Sequence, residues 1–228
     1  MQARHPISAG GALGEPPGRT RPLDRATLLR ATRALCARDA DLHRAVARYG
    51  PPPLWARPTG FATLVRIILE QQVSLASAEA MFTRLRNSVG RVSSARIAEL
   101  SITELRRLGF TRQKAGYCLG LAQQIENGEL ALRRVAKYDD ATARRVLTQV
   151  RGIGPWTADI YLLMALRRPD VWPEGDLALA TAVRRLKRLR TQPAPDRLRR
   201  IASSWRPWRS AAARILWHFY LTQPRSVG

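Results

Sequence analysis

Two groups of residues in this chain have types and spacing that could do chemistry. The first is Val150-Arg151-Gly152-Ile153-Gly154-Pro155-Trp156-Thr157-Ala158-Asp159, which lies between two runs of helical periodicity. Gly152 and Gly154 can take positive φ and admit close approach of another backbone. Pro155 suits the first turn of the following helix, where its missing N–H costs nothing, and Ile153 is expected to pack inward and pin the hairpin. The N–H groups of such a turn, with the start of the next helix, make a nest for an anion such as a DNA phosphate, while a lone G-x-G between helices is more often a plain turn. The second group is Asp176, 22 residues after Gly154, in Pro173-Glu174-Gly175-Asp176-Leu177. The preceding Pro and Gly mark it as a helix N-cap. Capping and catalysis are compatible, because a helix N-terminus favours a carboxylate as the anion. A carboxylate facing a sugar C1′ is what glycosidic hydrolysis needs, since its transition state resembles an oxocarbenium cation.

Composition bounds the scaffold that must position these groups. The chain has 228 residues, 45% of them hydrophobic, enough for one sizeable core or two helical lobes sharing one. Lys and Arg number 39 against 17 Asp and Glu, a formal charge of +22. That excess points to a polyanionic partner, because each phosphate contact releases condensed counterions. Only Lys114, Lys137 and Lys187 are Lys; the other 36 basic residues are Arg. Genomic base composition explains the kind of basic residue but not the net excess. Cys36 and Cys118 stand far apart, outside any metal-ligand spacing, so no disulfide framework, zinc site or four-cysteine iron–sulfur loop is expected. No apolar run approaches the ~20 residues of a membrane span, and the first residues lack the apolar core of a signal peptide. A cytoplasmic protein with no membrane partner is expected.

Residues 1–22, rich in Gly, Pro and Arg and without periodicity, read as a disordered tail, and 23–228 as a helical domain. Helical spacing predicts a run capped by Asp24 through Arg48, then helices over 61–71, 76–89, 94–100, 103–108 and 112–126. Further helices are predicted over 141–149 (capped by Asp139 or Asp140), 156–167, 176–190, 195–204 and 208–222. No stretch longer than about four residues alternates apolar and polar, so the fold class is all-α, about ten helices with short connections.

Four motifs in order carry a family resemblance. Val150 to Ala158, followed by Asp170-Val171-Trp172-Pro173-Glu174-Gly175-Asp176, resembles the helix-hairpin-helix/Gly-Pro-Asp superfamily of DNA glycosylases, and within it the 3-methyladenine DNA glycosylase II type. Ile68-Leu69-Glu70-Gln71-Gln72-Val73-Ser74 is similar to that branch's I-L-x-Q-Q/L-V-S motif. Trp205-Arg206-Pro207-Trp208-Arg209-Ser210, with Ala211-Ala212, is similar to its W-x-P-W-R-S/T-x-A motif. The likeness covers about Phe61 to Tyr220. It implies two interleaved helical lobes with the active-site cleft between them, and a monomer acting on double-stranded DNA that contains damaged bases. Asp176 matches the catalytic aspartate. Gly152, Ile153, Gly154 and Thr157 match the phosphate-gripping hairpin, Gln71 and Gln72 the residues that probe or fill the gap left by a flipped nucleotide, and Arg209 a DNA contact. Trp156, Tyr161 and Trp217 are the implied base-pocket aromatics. The resemblance implies no cofactor, apart from a K or Na ion that the hairpin carbonyls of Gln149 and Arg151 could hold. Bifunctional relatives carry a lysine in the hairpin region that attacks C1′. Here the position is Trp156 with no lysine nearby, which implies a monofunctional enzyme using water.

The chain departs from the pattern in two places. Best-known bacterial members have an N-terminal β-containing domain, for which too few residues precede Asp24. Ile160 stands where relatives often have an aromatic, so Tyr161 is left to supply that wall of the pocket. Plain readings stand beside the functional ones. Trp156 either lines the pocket or braces the hairpin, and Trp217 is either pocket or core. Asp159 is expected to make a structural hydrogen bond, Asp170 and Glu174 to be solvated, and His218 to be a satisfied core histidine. Glu70 is a candidate second carboxylate. Arg184 to Arg209 holds ten basic residues against Asp196, with Trp205 and Trp208 interleaved, and reads either as solvated surface or as a phosphate-tracking face. The function this adds up to is excision of alkylated purines (3-methyladenine, 7-methylguanine) in base excision repair. The alternatives are a glycosylase for uracil, hypoxanthine or an oxidised base, and a non-catalytic helix-hairpin-helix DNA-binding module.

Overall fold

A computed structural model of the chain describes residues 21–223. The predicted tail therefore lies almost wholly outside the described residues. Order is already present at Leu23, which is fully buried and donates its N–H to the Arg167 carbonyl at 2.7 Å. Among the described residues there are thirteen α-helices and no strand, as the absence of alternating stretches predicts.

The helices are α1 (Arg25–Arg38), α2 (Ala40–Tyr49), α3 (Phe61–Glu70), α4 (Leu75–Val89), α5 (Ser94–Ala98), α6 (Ile102–Arg107) and α7 (Arg112–Glu126). After these come α8 (Leu132–Val135), α9 (Asp140–Thr148), α10 (Pro155–Ile160), α11 (Leu177–Leu186), α12 (Pro195–Ser203) and α13 (Arg209–Thr222). Side-chain caps start most of them. Asp24, Ser74, Thr111 and Asp139 each accept an N–H from the first turn of the helix that follows. The predicted run from Asp24 to Arg48 is two helices, because Asp39 takes extended backbone and caps α2 through the Asp41 and Leu42 N–H groups. The run predicted to reach Arg190 ends at Leu186.

The helices pack in two groups. The terminal group gathers α1, α2, α11 and α13, and the central group gathers α3 to α7 around α3 and α7. Helix α10 joins them, packed on α9 and α3 and continued by a π-helical turn, Tyr161–Ala165. Two carbonyls of this turn have partners from elsewhere in the chain. The buried Arg214 guanidinium donates to the Leu163 carbonyl at 2.8 Å, and the Arg57 N–H donates to that of Met164 at 3.0 Å. Leu166 donates its N–H to the Tyr161 carbonyl at 3.1 Å, the i→i+5 pairing of a π turn, and the Leu162 carbonyl accepts the Arg168 N–H at 3.0 Å instead. Burial also pulls the Arg214 guanidinium down to about 10.

Candidate active site

Asp176 caps α11, accepting the Leu179 N–H on Oδ1 at 2.8 Å. The same oxygen accepts the Trp217 indole N–H at 3.3 Å, and Oδ2 accepts that of Trp156 at 2.9 Å. Helices α11 and α13 belong to the terminal group and α10 to the joining element, so the carboxylate stands where the groups meet. It is 8% exposed. Three neutral N–H donors converge on it, and among the described residues no cation is paired with it. Both tryptophans therefore hold the carboxylate. Trp156 is half-buried, whereas Trp217 is buried and belongs to the core while it donates to Asp176.

The loop from Arg168 to Gly175 is fixed nearly residue by residue, which is how Asp176 acquires its position. Pro169 accepts the Ser210 N–H at 3.0 Å, and the Ser210 hydroxyl bridges both the N–H and the carbonyl of Val171. The Trp172 and Trp205 rings pack at 5.5 Å. The Glu174 N–H reaches Asp159 Oδ2 at 3.3 Å, and Arg144 bridges the Asp159 and Glu174 carboxylates at 3.1 and 3.2 Å. Asp159, 3% exposed, makes the structural hydrogen bond expected of it. Its burial pushes the carboxyl up to about 7, against the pull of Arg144.

This loop corrects the reading of Arg209. Its side chain clamps Asp170 by Nε–Oδ1 at 2.9 Å and Nη2–Oδ2 at 3.0 Å, and also donates to the Asp170 carbonyl. The guanidinium is engaged in this clamp, with about a fifth of the side chain exposed. Asp170, expected to be solvated, is the other half of that clamp. The basic stretch loses other members as well. Trp205 is 1% exposed and donates to Asp39, while Lys187 bridges Asp39 and Asp41 at 3.0 Å each. Tyr161 is also corrected. Its ring is 1% exposed and its hydroxyl accepts the Gly60 N–H, so it is no pocket wall. Glu70 is a structural anion held in both directions by Arg57, at 2.8 and 2.9 Å. His218 is satisfied by the Tyr49 carbonyl.

The hairpin between α9 and α10 folds on the Ile153 N–H to Val150 carbonyl bond, 3.0 Å, with Ile153 buried beneath it. Gly152 has φ +94, and a Cβ there would lie 2.2 Å from the Tyr117 ring, so glycine is required twice over. Gln149, Arg151, Gly154 and Pro155 are exposed at the tip. Gly154 has no side chain with which to cap α10, which leaves first-turn N–H groups for an anion. Thr157 is buried; its hydroxyl, like the Gly152 carbonyl, accepts from the Gln71 side chain at 2.9 Å. Gln71 therefore braces the hairpin, whereas Gln72 is exposed with φ +56. Two residues beneath them escaped the reading of the sequence. Lys114 holds the Gln71 backbone, and Tyr117 packs under Gly152. Lys114 carried one signal, as a lysine kept in a chain that otherwise uses arginine.

An all-α fold with a glycine hairpin leading to a capped aspartate at the junction of two helical groups defines a class of DNA-repair proteins. Residues 65–207 match the HhH-GPD superfamily of base excision DNA repair proteins, and the chain belongs to that family. The DNA-3-methyladenine glycosylase of Bacillus subtilis (strain 168) is 34% identical over 54% of this chain. DNA-3-methyladenine glycosylase 1 of Schizosaccharomyces pombe is 27% identical over 77% of this chain and 79% of its own length. The chain spans about half the length of the Bacillus subtilis relatives it matches, 56% of one and 40% of another. Among solved structures, the Schizosaccharomyces pombe 3-methyladenine DNA glycosylase in complex with abasic DNA superposes with a TM-score of 0.75 at 26% identity. It covers 82% of this chain and 95% of that one. A DNA-3-methyladenine glycosidase from Bacillus halodurans gives 0.71 at 26% identity, covering 84% and 89%. No helix of the described residues is long and apolar enough to cross a membrane.

Proposed function

We propose that this chain is a monofunctional DNA glycosylase that hydrolyses the N-glycosidic bond of alkylated purines in duplex DNA, with 3-methyladenine and 7-methylguanine as its class of target. The observation that carries the reading is the Asp176 carboxylate, held by three neutral N–H donors and by no cation, at the junction of the helical groups. An alkylated purine is cationic and a good leaving group, so no general acid is needed. As the C1′–N bond breaks, its electron pair leaves with the base, which departs neutral. Positive charge moves onto the sugar, where Asp176 stabilises it and orients the water that adds to C1′. That water gives up its proton to the carboxylate or to solvent. The half-buried Trp156 offers an electron-rich ring to a cationic base. With Trp156 where a Schiff-base lysine would stand, water is the nucleophile and the strand stays uncut. The hairpin tip takes a phosphate of the bent duplex. A monovalent cation at the Gln149 and Arg151 carbonyls belongs to the same reading. Neutral oxygens at a tight turn suit such an ion, and among the described residues no group of three or more His, Cys, Asp or Glu could hold a metal. The enzyme acts as a monomer on nucleoid DNA.

The test is base release from methylated duplex DNA by wild type and by Asp176→Asn, with the bases identified chromatographically and strand cleavage scored without alkali. Release of 3-methyladenine or 7-methylguanine, lost in the variant and leaving uncut abasic sites, supports the proposal. Release of uracil, hypoxanthine or an oxidised purine instead would reassign the lesion. No release from any modified duplex by protein that still binds DNA would leave a binding module.

A further inference from the structure

The geometry points to α7 as a strut that fixes the probing loop at Gln72 in register with the phosphate-gripping hairpin, with Lys114 as its positioning residue. Lys114 lies in the first turn of α7 and is 8% exposed. Its ammonium donates to the Leu69 carbonyl at 2.7 Å and to the Gln71 carbonyl at 2.8 Å. These oxygens lie at the C-terminal end of α3, where carbonyls lack intrahelical partners and the helix dipole favours a cation. A compact ammonium with rotatable donors can serve two converging carbonyls in a confined space, where a planar guanidinium fork is poorly shaped. That explains a lysine here in a chain with 36 arginines.

Two bridges run from this anchor to the hairpin. The Gln71 side chain, whose backbone Lys114 holds, donates to the Gly152 carbonyl and the Thr157 hydroxyl, both at 2.9 Å. One turn along α7, Tyr117 packs directly under Gly152. The same helix edge therefore holds the loop and the hairpin. Beyond Gln71 the chain reverses through the positive φ of Gln72 and exposes Gln72, Val73 and Leu75. A side chain that fills the gap beside a phosphate gripped elsewhere works only if the two points keep a fixed separation, and that separation is what Lys114 sets.

The inference rests on the base-flipping reading of the chain, so its test needs a readout without chemistry. A duplex with 2-aminopurine beside a tetrahydrofuran abasic analogue reports unstacking when a probe residue enters. Wild type raises the fluorescence. Lys114→Met binds undamaged duplex within about twofold of wild type, because no phosphate-facing group has changed, but loses most of that rise. It also releases base about tenfold more slowly from a paired lesion, against about twofold from a lesion opposite a mismatch, where extrusion is easier. Lys114→Gln keeps neutral donors for the carbonyls, recovers part of the loss, and serves in place of the Met variant should that one not fold. A wild-type fluorescence response in both variants overturns the strut, as does an equal loss at paired and mismatched lesions. Failure of wild type to release any base would tell against the glycosylase reading alone, and the fluorescence would still decide the strut.

Discussion

Asp159 and Asp176 are both buried carboxylates tied to the loop that follows the π turn, and their partners are opposite in kind. Asp159 faces the Arg144 guanidinium at 3.1 Å and one backbone N–H. Asp176 faces two indole N–H groups and one backbone N–H, all neutral. A carboxylate already matched with a cation adds little to a second cation forming nearby, since the fields of the two partners largely cancel at a distance. One held only by neutral dipoles is oriented and keeps its full charge for a developing oxocarbenium ion. The loop therefore holds two carboxylates in different ways: Asp159 fixes its path through a cation, and Asp176, at its end, is the one the proposed function assigns to chemistry.

The sharpest way to break this division is to substitute the two in parallel. Asp176→Asn keeps an N-cap side chain, so the fold should survive while single-turnover base release falls on the order of 100-fold or more. Asp159→Asn should stay within about threefold of wild type, because an amide oxygen can still accept from Arg144 and Glu174. Equal losses would merge the two roles. Trp156→Phe comes next. It keeps an aromatic ring but removes the 2.9 Å donor from Asp176 Oδ2, and release should slow about tenfold with little change in KM. If Trp156 acted only by stacking on the base, KM would move instead.

Asp176 and the hairpin were legible because their signals are local. Pro-Glu-Gly before an Asp announces a cap, and glycines with Ile153 between them announce a pinned turn. The misread residues depend on partners remote in sequence. Arg209 looked free because a charge count cannot see Asp170, 39 residues earlier. The resemblance offers Tyr161 for the pocket only as the neighbour of Ile160, where relatives often carry an aromatic; Tyr161 opens the π turn and is buried. Asp39 falls inside the helical run predicted from Asp24 to Arg48. It breaks the helix because its carboxylate also serves Trp205 and Lys187, more than 140 residues away. The roles of Lys114 and Arg144 are invisible for the same reason, as each bridges segments that only the folded chain brings together.

Arg144 tests the structural half of the comparison. Arg144→Met leaves Asp159 buried without its cation and releases Glu174 as well. Because Arg144 is one-third exposed, the cost should fall below that of a fully buried pair, at about 2 kcal/mol in urea unfolding. Adding Asp159→Asn to that variant removes the stranded carboxylate and should restore part of the loss. A double variant as unstable as the sum of the two singles would mean that the pair is not a unit.

The smallest expected effect is the pH dependence of Asp159. Burial raises its carboxyl from 3.8 to about 7, so between those values the folded chain keeps a proton that the unfolded chain has released. Stability from this group is therefore fully present below the unfolded value and declines as pH rises toward 7, levelling off above it. Asp159→Asn has no such proton to hold. Its melting temperature relative to wild type should rise between pH 4.5 and pH 8 by a few degrees, about the size expected for a kcal/mol or so in a domain of this length. Subtracting the wild-type curve cancels groups that titrate alike in both proteins. A difference that is flat with pH would mean that Arg144 holds Asp159 charged throughout.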